Sequence, residues 1–280
     1  MIFVIFILSG LMIDNRQIMA GFKDIAATAM ALGVILVVAP LVSLLILLLP
    51  VEPGTAVGMF IVAVMPITLS SGIVMTRTAG GNMAHALFIT ISANFISIFT
   101  IPVVLPWLLS FLDLDRELVI DQAGILWKLI VLVLIPLALG MITKGTALAD
   151  RQLPELKMQL ANQWMIIAIV FVSLAGSKTT LLENRLAFFY ILIIVGVFHV
   201  ILLLACFVLI RLCRVKKGRY ESIMFMGAQK TLALSAMIQV TYFSEFGTAL
   251  LVCVMHHIVH LMIDSYLSSK MQQGWPHKKP

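Results

Sequence analysis

The chain has 280 residues, 61% of them hydrophobic and only 11% charged, with a formal net charge of +6. A soluble domain carries about 25% charged residues, so a chain this apolar is expected to be a multi-spanning helical membrane protein. Its positive charge gathers in loops on one side, which reads as membrane topology and excludes a nucleic-acid partner.

The first stretch, MIFVIFILSGLMI, lacks the basic n-region of a cleavable signal peptide. Charge-poor runs mark nine spans, at 1–13, 25–49, 55–76, 82–112, 122–143, 159–176, 187–210, 220–242 and 246–268. The fourth is long enough to tilt or bend at Pro102 and Pro106. The loops on the side of the N-terminus hold three basic residues, Arg116, Lys178 and Arg185, against fourteen on the other side. That bias puts the N-terminus outside and the C-terminus in the cytoplasm of a plasma or inner membrane, and it favours an odd number of spans. All loops are short, which leaves no room for a soluble catalytic domain. The longest, 144–158, is read as a cytoplasmic linker. Residues 1–143 before it hold spans 1–4, a first repeat lacking one helix, and span 5, the start of a second. Residues 159–268 complete the second repeat, and 269–280 form a cytoplasmic tail.

Two spans are interrupted. In span 3, GMFIVAVMPITLSSGIVMTRTAGGN, Pro66 cannot donate its backbone bond, and Thr68, Ser70, Ser71 and Gly72 follow at once. In span 8, SIMFMGAQKTLALSAMIQV, Gly227 precedes the polar cluster Gln229, Lys230 and Thr231. Lys230 lies 11 residues from Arg219, roughly 16 Å into the membrane and near its midplane. Irregular backbone at that depth survives only against protein or a water-filled cavity, and paired broken helices point to a transport site. In span 4, Asn82, Ala86, Thr90, Asn94 and Ser97 share one helical face, with Asn82 placed to cap the helix after Gly80–Gly81. Thr90 and Asn94 lie deep and need partners inside the bundle. In span 9, His256, His260 and Asp264 share another face, a spacing that could hold a divalent metal, although no HExxH motif and no partner on a third helix is evident. The ordinary alternative is that some of these histidines face a cavity, with His257 on a different face. The cysteines, Cys206, Cys213 and Cys253, lack CxxC spacing and read as free thiols.

FILSGLMID, MPITLSSGIVMTRTAGGN and GAQKTLALS, in this order and at these separations, resemble the bile acid:sodium symporter (BASS) superfamily, most of all its divergent sodium/bile acid symporter-like branch. The resemblance covers nearly the whole chain. It implies an all-α membrane fold of ten spans in two inverted five-helix repeats, with a panel of helices and a core in which two broken helices cross. Those two would be spans 3 and 8, with substrate and ions bound beside the crossing. The chain starts at the family's second helix, which leaves nine spans. Sodium-coupled members carry Ser-Asn in the first broken helix, where this chain has Ser71–Gly72. They carry Glu-x-Gly-x-Gln in the second, where it has Phe225, Gly227 and Gln229. Carried over, the sodium ligands would be Ser71, Thr90 and Gln229. Lys230, and His257 in the last span, resemble the divergent branch.

Losing the acid and gaining an ammonium makes sodium coupling doubtful and favours an anionic ligand. Lys230 is then either the substrate's counter-ion or a tethered substitute for sodium. The expected function is secondary active transport of an organic anion or similar small solute. No resident cofactor is expected, and the coupling ion stays open between Na+ and H+. An intramembrane enzyme is disfavoured, because no GxSxG or GxxxxGK[ST] motif is present. A regulatory protein that kept a transporter fold is the alternative. The candidate substrate- and ion-binding residues are Thr68, Ser70, Ser71, Gly72, Asn82, Thr90, Asn94, Gln229, Lys230, Thr231 and His257. The expected partners are a small, anionic solute and the lipid bilayer.

Overall fold

The computed structural model of the chain describes residues 1–13, 24–68, 70–112, 121–144, 155–176 and 185–273. Part of the loop charge count therefore falls outside the described residues, including Arg16, Lys23, Arg116, Arg151 and Lys178, as do linker residues 145–154 and the end of the tail.

Every described element is helical. In chain order they are α1 (Ile2–Met12), α2 (Ile25–Leu48), α3 (Pro53–Val64), α4 (Ser71–Thr78), α5 (Met83–Leu109), α6 (Gln122–Lys144), α7 (Glu155–Gly176), α8 (Arg185–Leu212), α9 (Tyr220–Ala228), α10 (Leu232–Tyr242) and α11 (Gly247–Gln272). Six runs are long and apolar enough to cross a membrane among the described residues: α2, α5, α6, α8, α9–α10 together, and α11. Large apolar side chains such as Phe95, Phe99, Trp127, Phe171, Phe189 and Ile193 point outward, while Asp264, His199, Gln229 and Lys230 are buried. This is the polarity of a protein dissolved in lipid, with polar groups gathered inside the bundle. The chain is thus a multi-pass membrane protein.

The helices can be described as two groups in contact with one another, the first half of α6 packing on α5, and α7 on α10 and α11. In the first, α1 packs along the second half of α6 and also against α7. The approach is close because both partners are glycines there: a Cβ on Gly10 would stand 2.3 Å from the Leu137 carbonyl, and one on Gly140 2.3 Å from the Ile7 carbonyl. The second group is the remainder. Within it α3 lies against α11, where a Cβ on Gly58 would come within 3 Å of Ala249 and Val252. Small residues at such contacts let backbones approach and gain dispersion energy where lipid removes the hydrophobic drive.

Two helices contain a wide π turn, Val34–Val38 in α2 and Ile130–Leu134 in α6. Each turn lies just before a proline, Pro40 or Pro136. A proline has no N–H to give and its ring crowds the preceding turn, which a wider turn relieves. By contrast α5 runs without interruption through Pro102 and Pro106.

Candidate functional site

The first interruption begins where Pro66 removes a donor. Helix α3 stops at Val64, Met65 is extended at φ −69° and ψ 146°, and helix resumes only at Ser71. The last carbonyls of α3 have no intrahelical partner and carry the negative end of its dipole. The second interruption has no proline. Helix α9 ends at Ala228, Gln229 is extended at φ −72° and ψ 151°, and α10 starts after Thr231. Gly227, which the sequence places at the break, is still helical; it is there for closeness, since a Cβ would stand 2.4 Å from the Cys206 sulfur.

The two interruptions meet. The Thr231 N–H donates to the Pro66 carbonyl at 2.8 Å. Lys230 Nζ donates to the carbonyls of Ala63 at 2.8 Å, Met65 at 3.0 Å and Ile35 at 3.0 Å. Three donors meet three acceptors, so the ammonium is saturated by backbone. The Ile35 carbonyl is free for a local reason. In the π turn the Ala39 N–H donates to Val34, and the next residue along is Pro40, which has no N–H to offer Ile35. Lys230 is only 2% exposed and does not reach for an interface.

Gln229 joins the two breaks to a third helix. Its Oε1 lies 3.0 Å from the Thr68 hydroxyl and 3.1 Å from that of Ser71, and these two hydroxyls are within bonding reach of each other, so their two protons serve two of the three contacts at a time. Its Nε2 donates to Asp264 Oδ2 on α11 at 2.8 Å and to the Met75 sulfur at 3.1 Å. Asp264 Oδ1 lies 2.9 Å from Nε2 of His199 on α8. Asp264 therefore places a carboxylate beside the two breaks. The sequence reading noted Asp264 only as part of a histidine pattern and missed His199 altogether. A lone histidine in the apolar run of α8 was the available signal. His256, His260 and Asp264 do share a face, but no group of three His, Cys, Asp or Glu among the described residues is arranged to hold a metal ion.

Of the expected sodium ligands, Ser71 and Gln229 bond each other, while Thr90 is engaged elsewhere. Thr90 Oγ1 donates to the Ala86 carbonyl at 2.8 Å and to the Met226 sulfur at 3.2 Å. The methyl end of Met226 lies 2.0 Å from where a Gly72 Cβ would be, so a thioether stands between Thr90 and the Ser71–Gln229 pair. Gly72 is required by that contact, and a side chain at this position has no room beside Met226. The residues present do not fit a cation bound in the expected manner.

The other candidates separate as follows. Asn94 Nδ2 donates to the Thr90 carbonyl at 2.9 Å and the Ile67 carbonyl at 3.3 Å, so it satisfies the first break. Asn82 is exposed at the start of α5, where its Oδ1 accepts from the N–H groups of Ala84 and His85. It is a helix cap, remote from the crossing. Thr68, Ser70, Thr231 and His257 line a small cavity between the two helix groups, faced by Phe6, Ser9 and Asn162 of α1 and α7. At about 20 Å³ it has room for about one water. Asn162 Nδ2 donates to Ser9 Oγ at 3.1 Å, and Asn162 Oδ1 has no protein partner.

Two interrupted helical runs thus meet at their breaks inside a helical membrane bundle, with a small cavity beside them. The chain belongs to the SBF-like CPA transporter family, which matches residues 1–273. It is similar to the Arabidopsis thaliana protein named "Probable sodium/metabolite cotransporter BASS4, chloroplastic", at 29% identity over 94% of this chain and 63% of that protein. The rice (Oryza sativa subsp. indica) protein of the same name is 25% identical over 97% of this chain and 68% of its own length. The chain thus spans just under two thirds of the Arabidopsis relative. The family and these relatives are named as transporters, not enzymes.

Proposed function

We propose that the chain is a secondary active carrier of a small organic anion, working by alternating access around the two interrupted passes. The observation that carries this reading is the junction itself. The two helix breaks meet in mid-bundle, and a small cavity with Thr68, Ser70, Thr231 and His257 on its wall lies beside them. Relative movement of α1, α6 and α7 against the remainder would expose that cavity to one side and then the other. Nine passes, with the N-terminus outside and the C-terminus in the cytoplasm of a plasma or inner membrane, complete the reading.

The relatives' names include sodium, yet Thr68, Ser71 and Gln229 are engaged with one another, and Lys230 occupies the α3 carbonyls. Lys230 acts here as a tethered cation that neutralises the end of the α3 dipole, not as a counter-ion in the cavity. Its charge still biases the crossing toward anions. The test is uptake of a panel of labelled carboxylates and sulfonates into proteoliposomes, with sodium or choline outside. The expected result is uptake of at least one anion at rates that differ by less than about twofold between the two cations. No uptake across the panel, with no ligand stabilising the protein, would favour a regulatory protein on a transporter fold. Uptake strictly dependent on sodium would overturn the tethered-cation reading.

A further inference from the structure

Four buried imidazoles cluster beside the Asp264 carboxylate, two of them, His199 and His260, facing it directly. His199 comes from α8, and His256, His257 and His260 come from α11; all are 4% exposed or less. Their rings are close, with centroids 4.8 Å apart for His257–His260, 5.4 Å for His256–His260 and 5.7 Å for His199–His260. A group of this size is costly to bury unless its polar atoms are paired. Three of its ring nitrogens have no partner: His199 Nδ1, His256 Nε2 and His260 Nδ1.

The cluster has a direction. His257 borders the cavity. Its Nδ1 lies 3.0 Å from His260 Nε2, and His260 Nδ1 lies 3.9 Å from Asp264 Oδ2. Asp264 Oδ2 is the atom that accepts from Gln229 Nε2, and Gln229 holds Thr68 and Ser71 of the first break. A row of polar groups therefore runs from the cavity to the junction of the two interrupted passes, with one open step of 3.9 Å between His260 Nδ1 and Asp264 Oδ2.

We propose that the His257–His260 pair is a proton-loading site, and that a proton is the ion coupled to solute movement. The proposal rests on the carrier reading above. A proton from cavity water adds to Nε2 of His257, and the proton on Nδ1 passes to Nε2 of His260. His260 then carries protons on both nitrogens as an imidazolium, with Nδ1–H facing Asp264 Oδ2. A hydronium ion reaching the cavity gives up the proton and returns to neutral water, and His260 holds the proton, so no other reactant is needed. Asp264 stays ionised throughout. In the loaded state His260 competes with Gln229 for Asp264 Oδ2, which loosens the link to the first break. In the unloaded state the same Nδ1–H belongs to a neutral ring and pulls less strongly on Oδ2, so Gln229 holds it more firmly. Loading thus biases the one contact that ties three helices together, which is what a coupling ion must do.

The charged and titratable groups facing this pair are few. From α8 they are His199 and Cys206, and from the second break Lys230, whose ammonium is held by backbone. On α11 itself they are Cys253, His256 and Asp264. Helix α3 contributes none, α4 only the exposed Arg77, α7 only Glu155 and Lys157 in its first turn, and α10 only Tyr242 at its last residue.

The test uses the full chain with 15N-labelled histidine in lipid nanodiscs, titrated across about pH 5 to 8. The expected result is that His257 and His260 signals shift together, and that His257→Gln slows proton arrival at His260 by at least about tenfold. His257→Asn, shorter but still polar, is the second variant should His257→Gln misfold, as judged by thermal unfolding. Single neutral tautomers of both rings throughout the titration would overturn the proposal, as would His260 titration indifferent to both variants. In proteoliposomes an inward pH gradient should stimulate anion uptake by wild type and not by His260→Gln. Uptake unaffected by the gradient overturns proton coupling and leaves the carrier standing. Absence of all uptake with intact histidine titration overturns the carrier and leaves the proton site.

Discussion

The two interruptions differ in kind. The first, residues 65–70, is made by a proline and is rich in acceptors: the carbonyls of Ala63, Met65, Pro66 and Ile67 all point to partners outside their own helix. The second, residues 229–231, contains no proline and is rich in donors: Lys230 Nζ, the Thr231 N–H and Gln229 Nε2. Either break alone would strand polar groups in a low-dielectric bundle, at several kcal/mol each in hydrocarbon. Together they satisfy one another. The second break does not need a proline, because the first offers its donors a better partner than continued helix would.

The largest expected effect therefore comes from removing the central donor. Lys230→Ala leaves three buried carbonyls without partners and the α3 dipole uncompensated, a loss on the order of 3–5 kcal/mol. Thermal unfolding in detergent should fall sharply, and normal stability in this variant would break the donor–acceptor account. Next comes Gly72→Ala. The added Cβ would sit 2.0 Å from the end of Met226 and 2.9 Å from Gln229 Oε1, so the flexible thioether must give way. A cost of about 1–3 kcal/mol is expected, relieved by pairing it with Met226→Ala in a double-mutant cycle. Smallest is Asn94→Ala, which withdraws one donor from the first break and should cost about 1 kcal/mol by the same measurement. A loss as large as that of Lys230→Ala would mean that Asn94, not Lys230, holds the first break.

Particular residues mark how far the sequence could be read. Pro66 and the run Gln229–Lys230–Thr231 announced both breaks, because a missing donor and a buried charge are properties of single positions. Asn82 as a cap was equally local. Thr90 was not readable: it shares a helical face with Asn94, yet Met226 from 136 positions away takes its hydroxyl. His199 was hidden for the same reason, since nothing in the apolar run of α8 names Asp264 as its partner, 65 residues on. Pro40 carried a signal that only gained meaning once Lys230 was seen to use the carbonyl it frees.

By itself the sequence determined that this chain lives in a bilayer, and that its helix is interrupted at Pro66 and near Gln229–Thr231. Those are consequences of hydropathy and of backbone chemistry, which act over a turn or two of helix. Only the tertiary structure decided that Lys230 spends its charge on three backbone carbonyls, that Asp264 places a carboxylate beside the two breaks, and that the histidines form a row leading to it. Those pairings join residues up to 195 positions apart. They exist because close packing, through glycines such as Gly72 and Gly227, brings groups of matching polarity within bonding distance.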